Sequence, residues 1–169
     1  MYTHKAIFPA DGWIRVGDTE FTFDPSRDLA ILDEHKSLLP RHTRWLWGTF
    51  GRIGVDGAIG ANFVSRPELP GQAQESCIWT ASAAEPLSDI SFAPDSCDAA
   101  APWHIWSADG LLDLTFQPEG RKQVKHQLVV ASIDYFQLFG RYSGQLRAGD
   151  RTHGLRDVHG VCECMLARF

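Results

Sequence analysis

Residues 134–146 read DYFQLFGRYSGQL. Phe136, Leu138, Tyr142 and Leu146 fall on one set of alternate positions, and Gln137, Arg141, Ser143 and Gln145 fall on the other. Successive side chains of a strand point to opposite faces, so this period of two describes a strand with one apolar and one polar face. Gly140 and Gly144 lie on the apolar face, where a missing side chain lets a strand coil or a partner approach. Towards the C-terminus, Gly149-Asp150 precedes a last strand, His153 to Leu166. There Val158, Cys162, Cys164 and Leu166 share an apolar face against Asp157, His159 and Glu163.

Towards the N-terminus the same grammar recurs. Gln123 to Ile133 reads as a strand after a turn at Pro118–Gly120, and Trp103–Ser107 with Leu111–Phe116 forms a hairpin about Asp109-Gly110. The polar segment Ala81–Pro102 holds one short strand near Ile90–Phe92. Glu75–Thr80 is a further strand, preceded by a two-proline loop, Ser65–Ala73, of the kind that often carries specificity. Ala58–Val64 returns from the turn at Gly54–Gly57, and Gly12–Val16 pairs with Thr19–Asp24 about Gly17-Asp18. No amphipathic helix of ten or more residues is evident. The count is nine to eleven short antiparallel strands, an all-β chain of barrel or sandwich type.

The densest chemistry lies in Leu32–Phe50, LDEHKSLLPRHTRWLWGTF. If Thr43–Arg52 is a strand, Trp45 and Trp47 share a face with Thr43 and Thr49, and Arg44, Leu46 and Phe50 share the other. Large groups on both faces suit a strand buried on two sides, or one with a core on one side and a lined cavity on the other. The plainer reading is core tryptophans with Arg44 paired at a rim.

Composition sets outer bounds. A chain of 169 residues suits one domain spanning 1–169 that buries about 70% of its unfolded surface. The net charge of −5 includes no basic run, which argues against nucleic acid. The chain holds no run of eighteen apolar residues and no signal-peptide pattern, so no membrane insertion is expected and the default location is cytoplasmic. Cysteines at 77, 97, 162 and 164 lack zinc-ligand spacing; no metal and no cofactor is expected, and Cys162 and Cys164 read as small core thiols. A GxSxG elbow is missing, and the seven histidines have no local nucleophile partner.

FDPSRDLAILD followed by RHTRWLWG, then APWHIWSADGLLDLTFQP, QLFGRYSG and the closing HGVCECMLARF together resemble the C-terminal half of proteins in domain-of-unknown-function family 2804. The similarity runs from Ala10 to Phe169. That family is in turn similar, more distantly, to the carotenoid-hydratase and survival-factor group of paired lipocalin-like barrels. The resemblance implies an antiparallel lipocalin-like β-barrel. It also implies a missing N-terminal partner half, so that the chain is a fragment, a shortened homologue or a homodimer. The chain departs from the family pattern at Leu46, where a polar asparagine is usual, and at Glu34-His35-Lys36, where a glycine-rich turn follows the acid.

Hydratase-like chemistry needs a carboxyl kept protonated by burial and aromatic faces that stabilise positive charge. Asp33, Glu75 and Glu163 are the carboxyls to consider. Arg41, Arg44, Trp45, Trp47 and Tyr142 are the ligand-binding candidates. Each has a plainer role: Asp33 paired with Arg41 or Arg44, and Glu75 and Glu163 facing water. The leading expectation is a barrel that holds an apolar small molecule, lipid or isoprenoid-like, without altering it. The alternatives are a hydratase or cyclase with a buried acid, and a structural half-domain that pairs with a partner barrel.

Overall fold

Thirteen β-strands and no helix occur among the described residues of the computed structural model, which are 2–67, 75–93 and 101–169. Nine strands form one antiparallel sheet in the order β8-β7-β6-β5-β13-β12-β11-β10-β9. They are β5 (His42–Gly54), β6 (Gly57–Ser65), β7 (Cys77–Trp79), β8 (Ala84–Pro86), β9 (Ile90–Ala93), β10 (Trp103–Ser107), β11 (Leu112–Gln127), β12 (Ser132–Ala148) and β13 (Arg151–Arg168). The order splits into two meanders, β5–β8 and β9–β13, joined where β13 pairs with β5. Two ribbons complete the structure: β1 (Tyr2–Pro9) with β4 (Leu29–Lys36), and β2 (Gly12–Val16) with β3 (Thr19–Phe23).

The sheet rolls so that β6 meets β9 across the interior, with Phe63 and Phe92 at 6.1 Å between ring centroids. Among the described residues no ladder hydrogen bonding joins its end strands, β8 and β9. The antiparallel all-β expectation therefore holds, while a closed barrel is not formed among the described residues. The interior is occupied by contacting rings. Tyr142 touches Phe50, Phe63 and Phe116 at 5.0, 5.7 and 4.7 Å, and the chain of rings continues through Phe92 to Trp103 and Phe136. A rolled sheet of this size fills its inside with side chains.

Several sequence-derived boundaries change. Pro118–Gly120 reads as a turn but is a bulge within β11, which runs on to Gln127; Arg141 Nε donates to Glu119 Oε1 at 2.7 Å beside it. The reversal comes instead at residues 128–131, inside the segment read as Gln123–Ile133. In β13 a second bulge places Asp157 at φ 51°, its amide donating to Ser143 Oγ at 3.1 Å, so that Leu155 and Val158 both face the core. Leu166, expected on the apolar face, is exposed where the strand leaves the core. β1, β4 and β8 have no counterpart among the sequence-derived strands. Cys162 is a buried free thiol, as expected, but Cys164 is disulfide-bonded rather than a free thiol. Cys97 and most of the proline loop lie outside the described residues.

Candidate functional site

β5 is buried on both faces, as its sequence anticipates, and the two faces meet different surroundings. Leu46 and Phe50 enter the ring-filled interior, and Gly48 lies between them because any Cβ there would meet Phe63 and Tyr142. Trp45 and Trp47 point the other way, to the outside of the rolled sheet. The β1–β4 ribbon lies over this outer face: a Cβ at Gly51 would sit 3.0 Å from Leu29 Cδ1 and 3.6 Å from Ile7 Cγ2. The ribbon's inward row is Thr3, Lys5 and Ile7, opposite His35, Asp33 and Ile31.

Between ribbon and sheet lies a cleft of about 520 Å³. Trp45, Trp47, Val64 and Glu163 line it from the sheet, Lys5, Asp33 and His35 from the ribbon, and Leu38-Leu39-Pro40 and Arg66-Pro67 from the connections. The indoles are fixed from behind. Trp47 Nε1 donates to Asn62 Oδ1 at 2.8 Å, and Asn62 Nδ2 donates to the Glu75 carbonyl at 2.8 Å. Trp45 Nε1 donates to Glu163 Oε1 at 2.8 Å, and Tyr135 OH donates to Glu163 Oε2 at 2.8 Å. Burial first, then this anionic neighbour, pushes the Tyr135 phenol well above its ordinary pKa.

An ion cluster closes the inner end. Lys5 Nζ lies 4.8 Å from the Trp47 ring centroid, 3.0 Å from Asp33 Oδ2 and 3.4 Å from Glu75 Oε2. Arg66 reaches Glu75 Oε1 at 3.1 Å, and the Glu75 side chain is only 5% exposed. Thr3 Oγ1 also donates to Glu75 Oε2, at 3.4 Å. Buried charges persist when paired and hydrogen-bonded, which is the arrangement here. Cys77 lies beside this cluster; burial pushes its thiol up to about 11, partly offset by Lys5.

The structure thus gathers Asp33, Arg44, Trp45, Trp47 and Glu163 around one cleft, with Glu75 at its inner end. Three plainer roles need correction. Asp33 pairs with Lys5 rather than with Arg41 or Arg44. Glu75 is enclosed by Lys5 and Arg66 rather than facing water. Glu163 accepts two hydrogen bonds rather than standing solvated. Besides Glu75, which stands behind the inner end, two candidates do not line the cleft. Arg41 is exposed, and Tyr142 is wholly buried in the core, its hydroxyl donating to the Val161 carbonyl at 2.7 Å and lying 2.8 Å from Cys162 Sγ. That burial holds the Tyr142 phenol far above its usual range. Lys5, Arg66, Tyr135 and Asn62 are absent from the sequence-derived set. Lys5 alone had a signal, the alternation of Thr3, Lys5 and Ile7.

No curated protein and no solved structure matches the chain. A family model does match, over residues 1–169, extending the segment carried by the sequence motifs to the first residue. The chain belongs to the family described as Domain of unknown function (DUF2804).

Proposed function

We propose that this protein binds an apolar small molecule, of lipid or isoprenoid-like character, in the cleft between the β1–β4 ribbon and the outer face of β5. The observation that carries this reading is the pair of indole faces, Trp45 and Trp47, backed by hydrogen bonds and opening onto about 520 Å³ of space rimmed by Leu38, Leu39 and Pro40. Concave sites lined by aromatic and aliphatic groups with a few placed polar atoms are the usual home of such ligands. Lys5, Arg44 and Arg66 stand at the wall with Asp33 and Glu163, and Glu75 behind them, so the polar end of the cleft carries both signs of charge and suits an apolar tail ending in a strongly polar head. The scaffold is a lipocalin-like rolled sheet used from its outer face. Its inner face is taken up by the rings around Tyr142.

Acid catalysis of the hydratase or cyclase kind has less support. Asp33 and Glu75 share Lys5, and both oxygens of Glu163 accept hydrogen bonds. The geometry is that of ion pairs and braces, not of a solitary acid aimed at a substrate.

Tryptophan fluorescence against a panel of fatty acids and isoprenoids tests the proposal. Binding should quench or blue-shift the emission, and Trp47→Phe should weaken the response several-fold while costing about 1 kcal/mol of stability through the lost bond to Asn62. A flat response across the panel, with no lipophilic material extractable from fresh protein by mass spectrometry, overturns the reading.

A further inference from the structure

One end of the nine-stranded sheet carries exposed apolar side chains that the fold does not use. His42 of β5, Arg168 of β13, Ser132 of β12 and Gln127 of β11 stand in register across that end. Beyond them lie two connections, residues 37–41 and residues 128–131. In the second, Leu128 N donates to the Ala131 carbonyl at 2.8 Å and the chain reverses at Val129-Val130. These valines are 95% and 72% exposed, Leu128 is 65% exposed, and Leu38 on the other connection is 96% exposed. Tight reversals favour glycine, asparagine and aspartate, which accept positive φ or bond their own backbone. Two β-branched apolar residues do neither, and their exposure contributes nothing to the core.

The same end is basic in a chain whose net charge is −5. Arg41, Arg44, Lys125 and Arg168 surround it, with His42 and His126; among the described residues Asp134 meets Lys125, 2.5 Å from its Nζ. The nearby Asp33 and Glu163 face into the cleft, on Lys5 and on Trp45 with Tyr135. Arg168 Nη2 donates to the Val129 carbonyl at 3.2 Å, which holds the valine tip outwards. The two tips stand two to three strand spacings apart, about 12 Å.

We propose that this end docks on the surface of an anionic phospholipid bilayer, with Leu38 and Leu128–Val130 among the headgroups and the cations against lipid phosphates. Apolar residues on separate prongs with a cationic row between them match a bilayer, which admits separated prongs, better than a protein partner, which buries a contiguous patch. The cleft opens beside one prong, since Leu38, Leu39 and Pro40 form its rim. Docking would give an apolar ligand a route between bilayer and cleft. The proposal goes beyond the cleft reading and stands apart from it, because Val129 and Val130 do not line the cleft.

Co-sedimentation with vesicles of phosphatidylcholine alone, and of phosphatidylcholine with phosphatidylserine, tests it. The protein should sediment with the anionic vesicles only and be released by added salt. Val129→Asp with Val130→Asp should weaken binding about tenfold or more, with the thermal midpoint and the fluorescence response to free fatty acid unchanged. No partition onto anionic vesicles, equal partition onto neutral ones, or undiminished binding by the double variant overturns docking. Self-association in solution that the double variant abolishes also overturns it, in favour of a second copy on this end. A variant or wild-type protein that sediments as expected yet gives no fluorescence response sinks the cleft reading alone.

Discussion

Glu75 shows how one side chain can hold two parts of the molecule together. It follows the proline loop, yet its carboxylate meets Lys5 of the covering ribbon and Arg66 beside the sheet. Removing one partner of a buried ion pair leaves the others uncompensated, so Glu75→Gln should destabilise by about 3 kcal/mol in urea denaturation. Adding Lys5→Met should recover part of that loss, and an additive result would dissolve the cluster as a unit. The residues of this site were only partly legible. Trp45 and Trp47 stand out by composition, and their common face follows from alternation. Which surroundings that face meets does not, because it depends on β1, whose partner β4 lies more than twenty residues along the chain. Asp33 illustrates the same gap: two arginines stand nearby in sequence, but the lysine across the ribbon is the one in contact.

Elements are most legible in the sequence where turn chemistry and alternation agree. Gly17-Asp18 and Asp109-Gly110 do mark hairpins, and Asp109 explains the strength of the second. Its carboxylate accepts from Ser107 Oγ at 2.6 Å, Leu111 N at 3.0 Å and Ser88 N at 2.7 Å, tying the β10–β11 turn to the connection before β9. Burial raises its pKa, but these bonds together outweigh it and lower the value from 3.8 to about 2. A carboxylate with a depressed folded pKa stabilises above its unfolded value and loses that contribution as pH falls. Asp109→Asn should therefore be less stable than wild type at neutral pH. The difference should shrink as pH drops from about 4 to about 2 in thermal melts, and a gap constant through that range would count against the assignment. Pro118–Gly120 misleads because the same residues that end strands also build bulges. Gly140, by contrast, is informative in the sequence: it faces the core where the bulged β11 crosses, and a Cβ there would run into the Gln117 carbonyl. Gly140→Ala should cost about 1–3 kcal/mol, and an unchanged denaturation midpoint would mean that the bulge can yield.

At the scale of the whole molecule, the all-β class and the antiparallel order follow from local patterns, whereas the filled interior and the outer cleft follow from how the sheet rolls. Rolling brings Tyr142 of one meander onto Phe50 and Phe63 of the other, far apart in sequence, and no local pattern encodes that meeting. The β11–β12 and β12–β13 pairings are close in sequence, but β5 reaches β13 only across more than a hundred residues: Trp45 and Glu163 are 118 positions apart. Loop-closure entropy makes such pairing the slow step. Stopped-flow refolding followed by pulsed hydrogen exchange should protect β12 amides before the β5 amides that bond β13. Simultaneous protection would argue for a single nucleus spanning both meanders.

The seam between the two meanders runs beneath the indoles. Trp45 belongs to one meander and the carboxylate that braces it to the other, so neither meander alone completes the cleft. Occupancy would then act as a clasp across the seam. A guest molecule should lengthen the lifetime of the native chain against unfolding far more than it hastens assembly, since the pocket it grips exists only after the last strands have met.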